Sequence, residues 1–199
     1  MNSTTTSLSN ISILLVEDDP DLIEEFTSVL QSEGADVTVK PSIYGPMSGV
    51  LPVLKDPGRT FHLVIFDTLL PETDEQWERA KTMIQKYSEL SKSLRQQIDT
   101  EKFELETRTR SELAAVRNEY RKCLNREGAL VVLRDLQESK RRILCPILFL
   151  TSRAEPQIHE ESIQLASEVS DGRATQYLVK PVTGKLLLER VTRLVAREG

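Results

Sequence analysis

Acid, hydroxyl and ammonium side chains in this sequence sit at the ends of short apolar runs. Ile13-Leu14-Leu15-Val16 leads directly into Glu17-Asp18-Asp19-Pro20, and Val64-Ile65-Phe66 leads into Asp67. Leu148-Phe149-Leu150 runs into Thr151-Ser152, and Tyr177-Leu178-Val179 into Lys180-Pro181. If these runs are strands whose ends share one edge of a sheet, their acids converge in one crevice, where a cation relieves their repulsion. Hard Mg2+ suits such donors, because it takes a few carboxylate oxygens and keeps waters for a phosphate. A phosphoryl group arriving on Asp67 would have its spread negative charge balanced by that cation, the Lys180 ammonium and the Thr151 hydroxyl. Each residue alone says little, since a strand-end Asp is more often a turn residue and a lone Lys is usually solvated. Asp19, followed by Pro20, reads first as a helix N-cap and only second as a metal ligand. The order of the set on successive runs gives it weight.

The elements that would position these groups follow from hydrophobic patterning. The runs at 11–16, 61–66, 146–150 and 177–179 are short and almost wholly apolar, as expected of strands covered on both faces of a parallel sheet. Residues 35–39, "ADVTV", alternate and predict a further strand nearer an edge. Leu22, Ile23, Phe26, Val29 and Leu30 form a helical stripe that Gly34 brings to a stop, and residues 186–195 repeat the helical period. Strands alternating with helices predict an α/β class with a doubly wound parallel sheet, in which sites form at the carboxyl ends of strands.

Composition narrows the function classes. The chain has 199 residues and a formal net charge of -5, which lacks the basic footprint of a general nucleic-acid binder, so no direct DNA binding is expected. Cys123 and Cys145 share no metal-like spacing with His62 or His159 and read as reduced thiols. Residues 1–10 are polar, without a basic start or a long apolar run, and predict a disordered tail with no signal peptide. No apolar stretch approaches the roughly 20 residues of a membrane helix, and a cytoplasmic location is expected.

The motifs "ILLVEDD", "VIFDTLLPETD", "PILFLTSR" and "YLVKP" resemble the receiver domain of bacterial response regulators in two-component signalling. The resemblance covers 1–74 and 128–199, with residues 11–74 and 128–199 as the receiver domain itself. It implies a flavodoxin-like, five-stranded parallel sheet and Mg2+ as cofactor. It makes Asp67 the phosphoacceptor, Glu17 and Asp18 its acidic pocket, and the backbone carbonyl of Leu69 a further metal ligand. By the same resemblance Thr151 bonds the phosphoryl group and Lys180 pairs with it. Tyr177 matches the aromatic that turns inward when the Thr is drawn to the phosphoryl group, and the bond before Pro181 is expected to be cis. The implied donor is a sensor histidine kinase or a histidine phosphotransfer protein. The chain would not be a turnover enzyme, catalysing only its own phosphorylation and dephosphorylation. No output domain follows before Gly199, so a stand-alone receiver is expected, acting through a downstream protein, a phosphorelay or its own insertion.

The departures from the family lie around the acceptor. Asp67-Thr68-Leu69-Leu70-Pro71-Glu72-Thr73-Asp74-Glu75 lacks the family's Gly after Asp74, and a Gly opening an apolar helix appears only at Gly128. Residues 75–127, free of Gly and Pro and dense in mixed charge, therefore read as an insertion after the third strand. Trp77, Ala80, Ile84, Tyr87, Leu94 and Ile98, then Leu113, Val116, Tyr120 and Leu124, follow a coiled-coil-like spacing. One straight helix of that length would reach about 75 Å, yet both flanks belong to one small sheet, so the chain must return. An antiparallel hairpin is predicted, with its tip within 98–110, Asp99 or Thr100 capping the second arm, and that arm running on through Gly128 into 130–137. Residues 41–59, rich in Pro and Gly, allow only a short or irregular helix. A second reading makes the hairpin a scaffold or adaptor surface, for a partner or a second copy of the chain. A Mg2+-dependent phosphatase of related architecture fits less well, because the acceptor sits on the third strand and not the first.

Overall fold

Three of the apolar runs, ending at Val16, Asp67 and Thr151, are covered on both faces, which is why they show no polar alternation. The run 177–179 instead lies at a sheet edge with Val179 55% exposed, contrary to the expectation that it is covered on both faces. The computed structural model describes residues 8–99, 103–152 and 156–196. Five strands, β1 (Ser12–Val16), β2 (Asp36–Val39), β3 (Leu63–Asp67), β4 (Ile147–Thr151) and β5 (Thr175–Val179), form one parallel sheet in the order β2-β1-β3-β4-β5. Alternate residues of each strand feed opposite layers. Leu14, Val16, Phe66 and Phe149 enter one core, and Ile13, Leu15, Ile65 and Leu148 the other. The alternating segment 35–39 becomes β2, an edge strand whose residues are partly exposed, as its pattern predicts.

Seven helices complete the described residues: α1 (Pro20–Ser32), α2 (Val50–Lys55), α3 (Asp74–Asp99), α4 (Phe103–Lys122), α5 (Gly128–Glu138), α6 (Pro156–Val169) and α7 (Gly184–Val195). Phe26 and Leu30 of α1 join Leu187, Val191 and Leu194 of α7 on one face of the sheet. Leu130, Leu133 and Leu136 of α5 and Ala166 of α6 cover the other, together with Val50 and Val53 of α2. Asp19 caps α1, its Oδ1 accepting from the Asp21 N–H at 3.0 Å, and Gly34 takes φ +93° just past the helix end. The Pro- and Gly-rich stretch leaves α2 only six residues long. The loop before α2 is held by Asp74, whose carboxylate accepts from the backbone N–H groups of Met47 and Ser48 and from the Ser48 hydroxyl.

Between β3 and α5 the chain makes a helical hairpin, α3 packed along α4. The link at 100–102, and with it the expected cap at Thr100, lies outside the described residues, whereas Asp99, the other expected cap, is the last residue of α3. The seam departs from the strict 3/4 spacing. Tyr87 is 41% and Ile98 47% exposed, whereas Ala80 and Val116 are buried and the Thr109 hydroxyl donates to Gln97 Oε1 at 2.9 Å. A straight α-helix drifts by about 20° per heptad from a seven-residue repeat, which rotates Tyr87 and Ile98 off the contact.

Two further expectations need correction. Leu8 is fully buried and its N–H reaches the Glu33 carbonyl at 2.8 Å, so the chain is anchored from residue 8 and the expected tail does not extend to residue 10; residues 1–7 lie outside the description. The second arm does not run on into 130–137. It ends at Lys122, and Asn125 turns back to exchange both backbone hydrogen bonds with Leu70, at 2.8 and 3.3 Å. Gly128 then opens α5 so close to Leu70 that a Cβ there would lie 2.8 Å from the Leu70 nitrogen. Cys123 and Cys145 are unbridged and buried. No helix among the described residues is long and apolar enough to cross a membrane.

Candidate functional site

Parallel strands deliver their last residues to one edge of the sheet, and here that edge gathers the acids. Glu17 and Asp18 follow β1, Asp67 ends β3, Thr151 ends β4 and Lys180 follows β5. One carboxylate oxygen from each of Glu17, Asp18 and Asp67 lies within 4.8 Å of the others, and all three residues are buried. Lys180 closes the group: its Nζ donates to Glu17 Oε2 at 2.8 Å and to Asp67 Oδ2 at 2.5 Å. The other oxygen of Asp67 accepts from the Leu69 N–H at 3.0 Å. The Lys180–Pro181 peptide is cis.

The remaining expected residues are placed as follows. Thr151 is buried at the same edge, and its hydroxyl accepts from Thr68 Oγ1 at 3.2 Å. Tyr177 lies two strand residues behind the edge, its ring stacked between Phe149 and His159 at centroid distances of 4.7 and 4.5 Å. Leu69 borders the cavity over Asp67. Asp19 caps α1 at the rim, so its carboxylate already has partners.

Burial and crowding set the charge states. Burial first, then repulsion from Asp67, holds the Glu17 carboxyl well above the usual range, although Lys180 opposes both. The same pair of causes pushes Asp18 up to about 8. Burial works against the Lys180 charge, but Asp67 and Glu17 outweigh it and raise the ammonium above its ordinary value. Three crowded carboxylates facing one ammonium make a site short of positive charge, with hard oxygen donors only. That donor set fits a hard dication of the Mg2+ kind, held by Glu17, Asp18 and Asp67.

Two contributors were not legible as site residues. Thr68 looks like any turn residue, yet it orients the Thr151 hydroxyl. Tyr120, from the hairpin, reaches into the acidic group, its phenol donating to Asp18 Oδ2 at 2.9 Å. In the sequence Tyr120 falls on the seam spacing and reads as packing. The available signal was its polar tip at the base of an arm that must return to the acceptor loop. A cavity of about 610 Å3 lies between the two, with Glu17, Asp67 and Lys180 on one side and Arg117, Tyr120 and Arg121 of α4 on the other.

Solved structures supply the comparison. No protein-family model matches the sequence, and no curated protein matches it. A CheY-like response regulator receiver domain protein from Methanospirillum hungatei JF-1 superposes with TM-score 0.53 at 18% identity, over 96% of this chain and 100% of that one. The chain has the receiver-domain fold. A response regulator from Thermotoga maritima matches with TM-score 0.50 at 13% identity, over 94% and 98% of the two chains. The receiver domain of DrrB in its BeF3-activated form gives TM-score 0.50 at 16% identity, over the same shares. Within this receiver fold the hairpin occupies the connection from β3 to the helix that follows it, beside Asp67.

Proposed function

We propose that this chain is a phosphoacceptor receiver of a two-component or phosphorelay system, taking a phosphoryl group from a phosphohistidine onto Asp67. The observation that carries this reading is the Lys180 ammonium bridging Asp67 and Glu17 at the ends of β3 and β1, with Asp18 beside them. An oxygen of the Asp67 carboxylate attacks phosphorus; the P–O bond forms as the P–N bond breaks, and the imidazole of the donor leaves with the electron pair. Lys180 and the Leu69 N–H hold the two Asp67 oxygens at fixed positions, which orients the nucleophile before the donor arrives. Mg2+, held by Glu17, Asp18, Asp67 and the carbonyl of Leu69, would supply the missing positive charge and polarise the phosphoryl oxygens. The Thr151 hydroxyl, already steered by Thr68, is the group a new oxyanion would draw toward the site. Tyr177, stacked behind it, is the side chain whose repacking would carry the change to the α6 face. The chain thereby catalyses only its own phosphorylation and hydrolysis. A sensor histidine kinase or histidine phosphotransfer protein is the donor class.

Acetyl phosphate with Mg2+ tests the reading by intact-protein mass. The wild type gains one phosphoryl group and Asp67→Asn gains none. A wild type that takes up no phosphoryl group from this donor, and binds no beryllofluoride, would sink it.

A further inference from the structure

Arg117, Tyr120 and Arg121 fall at i, i+3 and i+4 of the hairpin's second arm, and together with Leu124 beyond its end they line the cavity over Asp67. Arg126, just past the arm, joins them. None of the three guanidiniums has an ion-pair partner among the described residues, although the arm's other charges are largely paired: Arg108 with Glu112, Arg110 with Glu106, Lys122 with Glu119. The position of this wall is fixed at two points. The Tyr120 phenol holds Asp18, and Asn125 is doubly bonded to Leu70, three residues after Asp67. Unpaired guanidiniums thus stand across a cavity from the carboxylate that the reading above makes the acceptor.

A phosphoryl group on Asp67 replaces a singly charged carboxylate with a dianion projecting into that cavity. Lys180 is already shared with Glu17, and a dication would be balanced by the carboxylates that hold it. Among the described residues, the sheet side of the site offers the added charge no further cation. On the hairpin side it has two within one turn of the Tyr120 anchor, of the residue type best suited to tetrahedral oxyanions. We propose that the hairpin is part of the phosphoryl-binding site, with Arg117 and Arg121 binding the phosphoryl oxygens on Asp67 and Tyr120 as the positioning residue that sets α4 at the required height. The proposal rests on the phosphoacceptor reading and adds a subsite that the sheet edge does not supply.

The test is calorimetric titration of the full chain with beryllofluoride at saturating Mg2+, alongside Mg2+ titration without fluoride. Replacing both arginines, Arg117→Gln with Arg121→Gln, is expected to weaken beryllofluoride binding at least tenfold and to leave Mg2+ affinity within about twofold. Arg117→Lys with Arg121→Lys, which keeps the charge and loses the fork, recovers part of the loss. Tyr120→Phe keeps both charges but frees the wall, and weakens beryllofluoride binding by a smaller factor, about threefold. Lys122→Gln, on the same helix but off the cavity, changes neither affinity. Equal beryllofluoride affinity in the wild type and the double Gln variant overturns the proposal, as does an equal loss in Lys122→Gln, which would point to a diffuse field. If the wild type itself binds no beryllofluoride and matches Asp67→Asn, the phosphoacceptor reading fails instead.

Discussion

Burial and Asp67 together raise the Asp18 carboxyl to about 8, so without a divalent cation the folded chain keeps a proton that the unfolded chain releases near pH 3.9. Between those values the folded state binds more protons, and stability falls as pH rises through the window. Glu17, also raised, pulls in the same direction. Thermal unfolding in chelator is therefore expected to show a midpoint that drops from pH 5 to pH 8. Asp18→Asn should flatten part of that slope, and saturating Mg2+ should flatten most of it, because the dication takes the place of the proton. A midpoint that rises over this range in chelator would contradict the assignment. Among individual residues, Glu17, Asp18, Asp67, Thr151 and Lys180 could be found from sequence because each ends an apolar run and sequence order predicts shared strand ends. Thr68 and Tyr120 could not, since what makes them part of the site is a partner 83 or 102 residues away.

Among the elements, the central strands β1, β3 and β4 were legible because burial on both faces leaves an unbroken apolar signature, and β2 because an edge strand leaves an alternating one. The hairpin was legible from length alone: both ends had to return to one sheet. Its register was not, since helix drift moved Tyr87 and Ile98 out of the contact and brought in the Gln97–Thr109 hydrogen bond. The junction was misread because helical periodicity on both sides of Gly128 hides a break made by a nonlocal pairing, Leu70 with Asn125. Gly128 sits where that pairing presses hardest. Gly128→Ala gains helix propensity, yet its new methyl would meet the Leu70 backbone at 2.8 Å. Overpacking is expected to win, with a loss of about 1–3 kcal/mol in urea unfolding. A neutral or stabilising result would mean that the acceptor loop yields easily.

At the scale of the molecule, neither buried core contains a described residue from 75–127, so the sheet and its covering helices do not draw on the described hairpin for their interior. Replacing 75–124 by a short Gly-Ser linker is expected to leave a cooperatively folded chain with helix lost in proportion, read by circular dichroism and thermal melting. A molten or insoluble product would show that the hairpin is structural. The fold was legible as a whole because alternating strands and helices admit few architectures, whereas the surface presented to a partner was not, because it depends on where an added element leans. The Leu70–Asn125 pairing decides that lean. With the Tyr120–Asp18 hydrogen bond it pins the hairpin at its base, three residues after Asp67, and the two long arms extend beyond these holds. An arm of 20 residues is about 30 Å long, so a tilt of about 5° at the pinned end carries its far end about 3 Å. The hairpin is in this sense a lever with its fulcrum at the acceptor loop, and a spin-label distance from its tip to the sheet would report a displacement too small to measure at the fulcrum itself.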